Sequence, residues 1–157
     1  MSNLLNQIDE KNIHTIRKLF PTFSRFALFT VYFWFGFLKV LGLSPAGPLV
    51  ADLLKKTIPF LTASQFIFAF GWLEMSIGIL FLIPRLSRLV IAILIIHLIT
   101  TAGPLLLLPQ ITWQSFFVPT LEGQYIIKNL LIIATAMGLV SELKPWKENT
   151  SNLQKTS

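Results

Sequence analysis

Four ionisable side chains interrupt otherwise apolar stretches of this 157-residue chain: Lys39, Glu74, His97 and Lys128. Each falls in a different stretch. A lysine or acidic residue at the centre of a membrane helix costs about 2.5–3.5 kcal/mol on insertion scales, so such residues face the interior of a bundle and find partners there. A carboxylate, an imidazole and two ammonium groups can do two kinds of work. They can form an ion pair that fixes helix register, or they can hydrogen-bond carbonyl oxygens and exchange protons with a bound substrate. The expected arrangement is that Lys39 or Lys128 pairs with Glu74, and that His97 completes a polar network open to the outer side.

The elements that must position these groups follow from composition. The chain is 54% hydrophobic and 13% charged, against about 25% charged in soluble domains. That is enough apolar sequence for four spans of ~20 residues and leaves no room for a separate soluble catalytic domain. The spans are expected at about residues 24–43, 65–83, 86–108 and 123–143, forming an all-α transmembrane four-helix bundle. Their apolar runs are too long and continuous for half-buried strands, and four short segments cannot close a barrel. Thr62-Ala63-Ser64-Gln65 fits a capping box at the start of span two, and Pro104 is expected to bend span three.

Residues 1–23 read as a short amphipathic leader helix with Leu5, Ile8, Ile16, Leu19 and Phe20 on one face, ended by Pro21. Residues 24–143 make the membrane domain, and 144–157 a polar tail, expected to be disordered, that Pro145 separates from span four. The loop at 44–64 carries Pro48 in front of Leu49, Val50, Leu53 and Leu54, a pattern for a short interfacial helix. Residues 109–122 carry Trp113, Phe116 and Phe117 and suit a second interfacial segment.

Nine Lys and Arg residues (Lys11, Arg17, Lys18, Arg25, Arg85, Arg88, Lys144, Lys147 and Lys155) fall on one side of these spans and only Lys55 and Lys56 on the other. The positive-inside rule then places both termini in the cytoplasm. The same rule accounts for the net charge of +6 without nucleic acid as a partner.

At ~1.5 Å per residue, Glu74 and His97 come out ~15–17 Å from the cytoplasmic ends of their spans, and Lys39 and Lys128 ~21–23 Å. Glu74 shares a helix face with Gly71 and Gly78, His97 shares one with Thr101 and Pro104, and Lys128 lies two turns from Thr135. Gly36, Gly71, Gly78 and Gly138, the last paired with Ala134, are the expected close-packing positions. Phe26, Phe29, Phe33 and Phe37 form a stripe along span one beside Tyr32 and Trp34. Such a stripe usually faces lipid or packs between helices, and it can also flank a quinone.

The absence of cysteine excludes disulfide relays and cysteine-held zinc or iron–sulfur sites. Two histidines are too few for a conventional metal cage. No metal, haem or iron–sulfur cluster is expected, and no Gly-x-Gly-x-x-Gly dinucleotide motif is present.

Gly36-Phe37-Leu38-Lys39 closing span one, Gly71-x-x-Glu74-x-x-x-Gly78 in span two, and Glu122-Gly123-Gln124-Tyr125-Ile126-Ile127-Lys128-Asn129-Leu130 opening span four together resemble the DoxX-like superfamily of small membrane proteins. They are nearer to its YkgB-like branch than to DoxD, over about residues 22–143. The resemblance implies a four-helix bundle in the bacterial cytoplasmic membrane. It also implies a link, in some relatives, to quinone-coupled oxidation or oxidative-stress complexes, but it transfers no catalytic residue.

Three functions fit these observations. The first is a membrane oxidoreductase component that binds a quinone or small lipophile between the helices, with a partner subunit supplying electrons. The second is a non-enzymatic accessory protein of a membrane complex, and the third is proton-linked movement of a small solute, for which four helices suffice only in a homo-oligomer. The lipid bilayer is the expected surrounding in all three.

Overall fold

The computed structural model describes residues 2–143, with side chains from Asn6 onward. The expected polar tail with Lys144, Pro145, Lys147 and Lys155, and the side chain of Leu5, lie outside the described residues. The chain forms α1 (Ser2–Val40), α2 (Gly47–Thr57), α3 (Ala63–Phe81), a 3-10 turn (Pro84–Leu86), α4 (Ser87–Ala102), α5 (Pro104–Leu107) and α6 (Pro109–Thr112). A two-stranded antiparallel hairpin follows, β1 (Trp113–Ser115) and β2 (Val118–Pro119), and then α7 (Leu121–Ile127) and α8 (Asn129–Ser141). Four helical segments are long and apolar enough to cross a membrane: Asn6–Val40, Ala63–Phe81, Pro84–Leu107 and Leu121–Ser141. The molecule is a helical bundle with the makings of a multi-pass membrane protein.

α1 and α3 run antiparallel and touch at both ends. At one end Gly36 lies against Gly71, and a Cβ added to Gly36 would meet the Gly71 carbonyl oxygen at 2.6 Å. At the other, Arg25 donates from Nη1 to the Phe81 carbonyl at 3.3 Å. Between them Gly78 faces the backbone of Phe29 and Phe33. Around this pair the core gathers Leu28, Tyr32, Ile77, Phe81, Val90, Leu94, Leu98, Ala136 and Leu139. The outward faces stay apolar, with Trp34, Ile96, Ile99, Leu131 and Met137 each more than 60% exposed, as expected of surface turned toward lipid rather than water.

The capping box forms as the sequence predicts. Gln65 N–H donates to Thr62 Oγ1 at 3.3 Å and Thr62 N–H donates to Gln65 Oε1 at 3.4 Å. Pro48 sits in the first turn of α2, and the third span breaks at Gly103, just before Pro104.

Four features depart from expectation. Pro21 does not end a leader helix: α1 continues through it for 39 residues, and the leader is simply its first part. A mid-helix proline removes one backbone donor and costs about 3 kcal/mol. Packing on both sides carries the helix past it, since the Phe20 ring lies over Gly138 and Ser24 and Leu28 are buried. The second departure is the small hairpin in the 109–122 loop, held to the adjoining turns by Thr120 N–H donating to the Thr112 carbonyl at 3.0 Å. Its tip places Phe117 at φ 56°, in the left-handed region. The third is that the fourth span is interrupted at Lys128, between α7 and α8.

The fourth departure is Arg25, which the sequence marks only as a topology charge. Besides its bond to Phe81, it donates from Nη2 to Ser87 Oγ at 2.8 Å, and that hydroxyl donates to the Pro84 carbonyl at 2.6 Å. One guanidinium thus ties α1 to the α3–α4 connection, where the carbonyls at the end of α3 need donors. Arg25→Gln is expected to lower stability by about 1.5–3 kcal/mol, the range for hydrogen bonds to a charged group. Thermal unfolding in detergent micelles measures it.

Candidate functional site

Glu74 lies on α3 and is 6% exposed. Its Oε2 accepts from Lys39 Nζ of α1 at 2.5 Å. Its Oε1 lies 3.2 Å from His97 Nε2 of α4. On the far side of the imidazole, His97 Nδ1 lies 3.5 Å from the Tyr32 hydroxyl of α1. The four side chains form one continuous chain, Tyr32–His97–Glu74–Lys39.

Local packing explains each placement. α1 and α3 approach closely because Gly36 and Gly71 carry no side chain at the crossing. A Cβ on Gly71 would lie 2.9 Å from Lys39 Cβ, so Gly71 leaves open the path the lysine stem takes to Glu74. The lysine stem leans toward the N-terminus of α1, as helix side chains do, and this brings its ammonium down to the level of the carboxylate. His97 is held between rings: Phe70 stacks on it at 4.8 Å and 19°, and Tyr32 meets it edge-on at 5.2 Å and 70°.

An ionised carboxylate only accepts hydrogen bonds, so the tautomer that matches the contact with Glu74 is the one with the proton on Nε2. In the neutral ring Nδ1 is then free to accept the proton of the Tyr32 hydroxyl. The two contacts, Tyr32 hydroxyl to Nδ1 and Nε2 to Glu74, give the chain the connectivity of a relay. Tyr32 and His97 are buried at one end, while the Lys39 side chain retains 16% exposure at the other. Among the described residues, no buried side-chain nitrogen or oxygen lacks a hydrogen-bond partner.

Three of the four residues singled out in the sequence come together here: Lys39, Glu74 and His97. Lys128 does not. Its side chain is exposed, with its ammonium 5.1 Å from the centroid of the Tyr125 ring. Thr101, one turn beyond His97, accepts from Asn129 Nδ2 at 3.4 Å and donates to the Leu98 carbonyl at 3.1 Å. Thr135 bonds within its own helix, to the Leu131 carbonyl. The packing glycines all lie at close approaches: Gly36 with Gly71, Gly78 with Phe33, and Gly138 with the ring of Phe20. Among the described residues, no group of three or more His, Asp or Glu side chains could hold a metal ion.

Sequence reasoning misses two members of the site. Tyr32 is absorbed into the aromatic stripe, yet it is the polar residue of that face, seven residues or two turns before Lys39, and that spacing is its signal. Phe70 carries no signal of its own, since a phenylalanine in an apolar span is ordinary. Compared with family models, curated proteins and solved structures, the chain matches none.

Proposed function

We propose that this chain is a DoxX-like protein of a bacterial cytoplasmic membrane, with both termini in the cytoplasm. In this reading it binds the polar head of a quinone or similarly sized lipophile at the Tyr32–His97–Glu74–Lys39 chain. The observation that carries the reading is the chain itself: four hydrogen-bonding, proton-exchanging groups linked inside an otherwise apolar bundle, where charged groups are costly and mark function by default. Lys39, at the part-exposed end, supplies a donor suited to a carbonyl oxygen. Reduction of a quinone to a quinol takes up two electrons and two protons. His97 and Glu74 would pass protons to the bound headgroup and be reprotonated from the part-exposed Lys39 end, and a membrane redox partner subunit would supply the electrons.

A second reading is favoured by one specific observation. Every buried polar side-chain atom among the described residues already has a partner, which is also what a purely structural tie within an accessory protein would show.

The two readings part on Glu74→Gln, which keeps shape while removing charge. Under the binding reading, protein purified from a quinone-containing membrane carries extractable quinone near one per chain, measured by absorbance and mass spectrometry. Glu74→Gln then loses most of it, at least tenfold, while remaining folded. Quinone absent from the native chain, with Glu74→Gln altering only thermal stability, would establish the structural tie instead.

A further inference from the structure

Lys128 stands apart from the buried chain in a position that an apolar span does not easily accommodate. It lies in the fourth span, seven residues or ~10 Å from its start at Leu121. Around it the outward surface is apolar: Leu121, Leu130 and Leu131 are 60%, 64% and 71% exposed. Among the described residues its ammonium forms no ion pair with a carboxylate, and its recorded neighbour is the Tyr125 ring. A lysine here must reach polar surroundings or meet an anion.

The backbone tightens at this position. The helix is interrupted at Lys128: its N–H donates to the Gln124 carbonyl at 3.0 Å, while its carbonyl accepts from Leu131, three residues on, also at 3.0 Å. Tight turns of this kind within a helix recur at functional positions. The ammonium leans over Tyr125, which is 63% exposed and one turn nearer the hairpin end of the bundle, the direction in which a lysine extends to reach headgroups. A tyrosine at that level suits the membrane interface.

We propose that Lys128 and Tyr125 form a site on the outward face of the fourth span for the phosphate of an anionic glycerophospholipid in the leaflet at the hairpin end. The ammonium offers three donors and the phenol one more, and bonds between a cation and phosphate are the strong, charge-assisted kind. The uncompensated cation selects net charge: a zwitterionic headgroup brings its own cation beside the phosphate, whereas an anionic one does not. The inference rests on the span and on these two residues, not on the quinone reading.

Native mass spectrometry of the full chain released from bilayer discs of phosphatidylcholine with phosphatidylglycerol tests it. The wild type retains phosphatidylglycerol in preference to phosphatidylcholine. K128Q reduces that preference about fivefold, K128R preserves it, and Y125L falls between. Equal retention by wild type and K128Q overturns the site. So does Lys128-dependent retention of inorganic phosphate, added to discs of phosphatidylcholine alone, matching that of the lipid, because the ligand is then a soluble anion. A dimer peak that K128Q abolishes without changing lipid retention also overturns it, because a second copy then covers Lys128. If K128Q fails to fold, the contrast of K128R and Y125L decides: unchanged preference in Y125L together with lost preference in K128R refutes the proposal.

Discussion

Replacing Glu74 with alanine is expected to lower the stability of the bundle by about 3–5 kcal/mol, the range for removing one partner of a buried ion pair. The cause is less the lost attraction than what remains. Lys39, with a side chain 16% exposed, keeps a charge with no counter-ion, and His97 Nε2 loses its acceptor. Burying such groups without partners is costly. Glu74→Gln should cost less, because an amide oxygen still accepts one of the two bonds. The double replacement Lys39→Met with Glu74→Leu should recover most of the loss, since an apolar pair of similar volume is often neutral or better. Unfolding of the wild type, Lys39→Met, Glu74→Leu and the double variant in one detergent completes a double-mutant cycle. A coupling near zero would mean the contact contributes nothing to the fold.

Gly71→Ala is expected to cost about 1–3 kcal/mol, as for overpacking a filled core. The added Cβ would sit 2.7 Å from the Gly36 carbonyl oxygen, 2.9 Å from Lys39 Cβ and 3.1 Å from Val40 Cγ2. The first of these is backbone and cannot rotate away, so α1 itself must withdraw. That withdrawal also lengthens the Lys39–Glu74 contact, so the loss should exceed steric cost alone and shrink in a Lys39→Met background. Gly47→Ala is the control. It has nothing within 4 Å of an added Cβ and should be neutral or slightly stabilising. Thermal midpoints of the three proteins give the comparison, and equal midpoints for Gly71→Ala and wild type would mean α1 and α3 pack less closely than the structure has them.

The four apolar segments were legible because hydrophobic runs of span length need no tertiary information to be read. The capping box at Thr62 and the bend at Pro104 were legible for a similar reason, being local rules written over a few residues. Which lysine meets Glu74 was not legible. Axial depth treats Lys39 and Lys128 alike, and the choice is made by direction around each helix and by the Gly36–Gly71 crossing, a contact between residues 35 apart. Tyr32 is hidden because its hydroxyl sits in an aromatic stripe, and only its spacing of two turns from Lys39 sets it apart. Pro21 reads as a helix end because its penalty of about 3 kcal/mol is local, whereas the packing on either side of it is tertiary. The interruption at Lys128 left no mark either, since neither glycine nor proline occupies that position. Arg25 shows a further limit: a charge count gives its contribution to orientation but not the carbonyl and hydroxyl it reaches.

Tyr32 and Lys39 are both on α1, while the Glu74 and His97 that join them belong to α3 and α4. The polar chain therefore leaves α1, passes through two other helices and returns to α1 about 10 Å farther along. It is a closed circuit. If α1 slides along its axis, both of its contacts shift in the same direction and neither can compensate for the other, so the position of the helix is checked at two heights at once. A single ion pair would let α1 pivot about one point. Two attachments on the same rod oppose sliding and tilting together, and they turn three helices into one mechanical unit, which the fourth span joins near this level through Thr101 and Asn129.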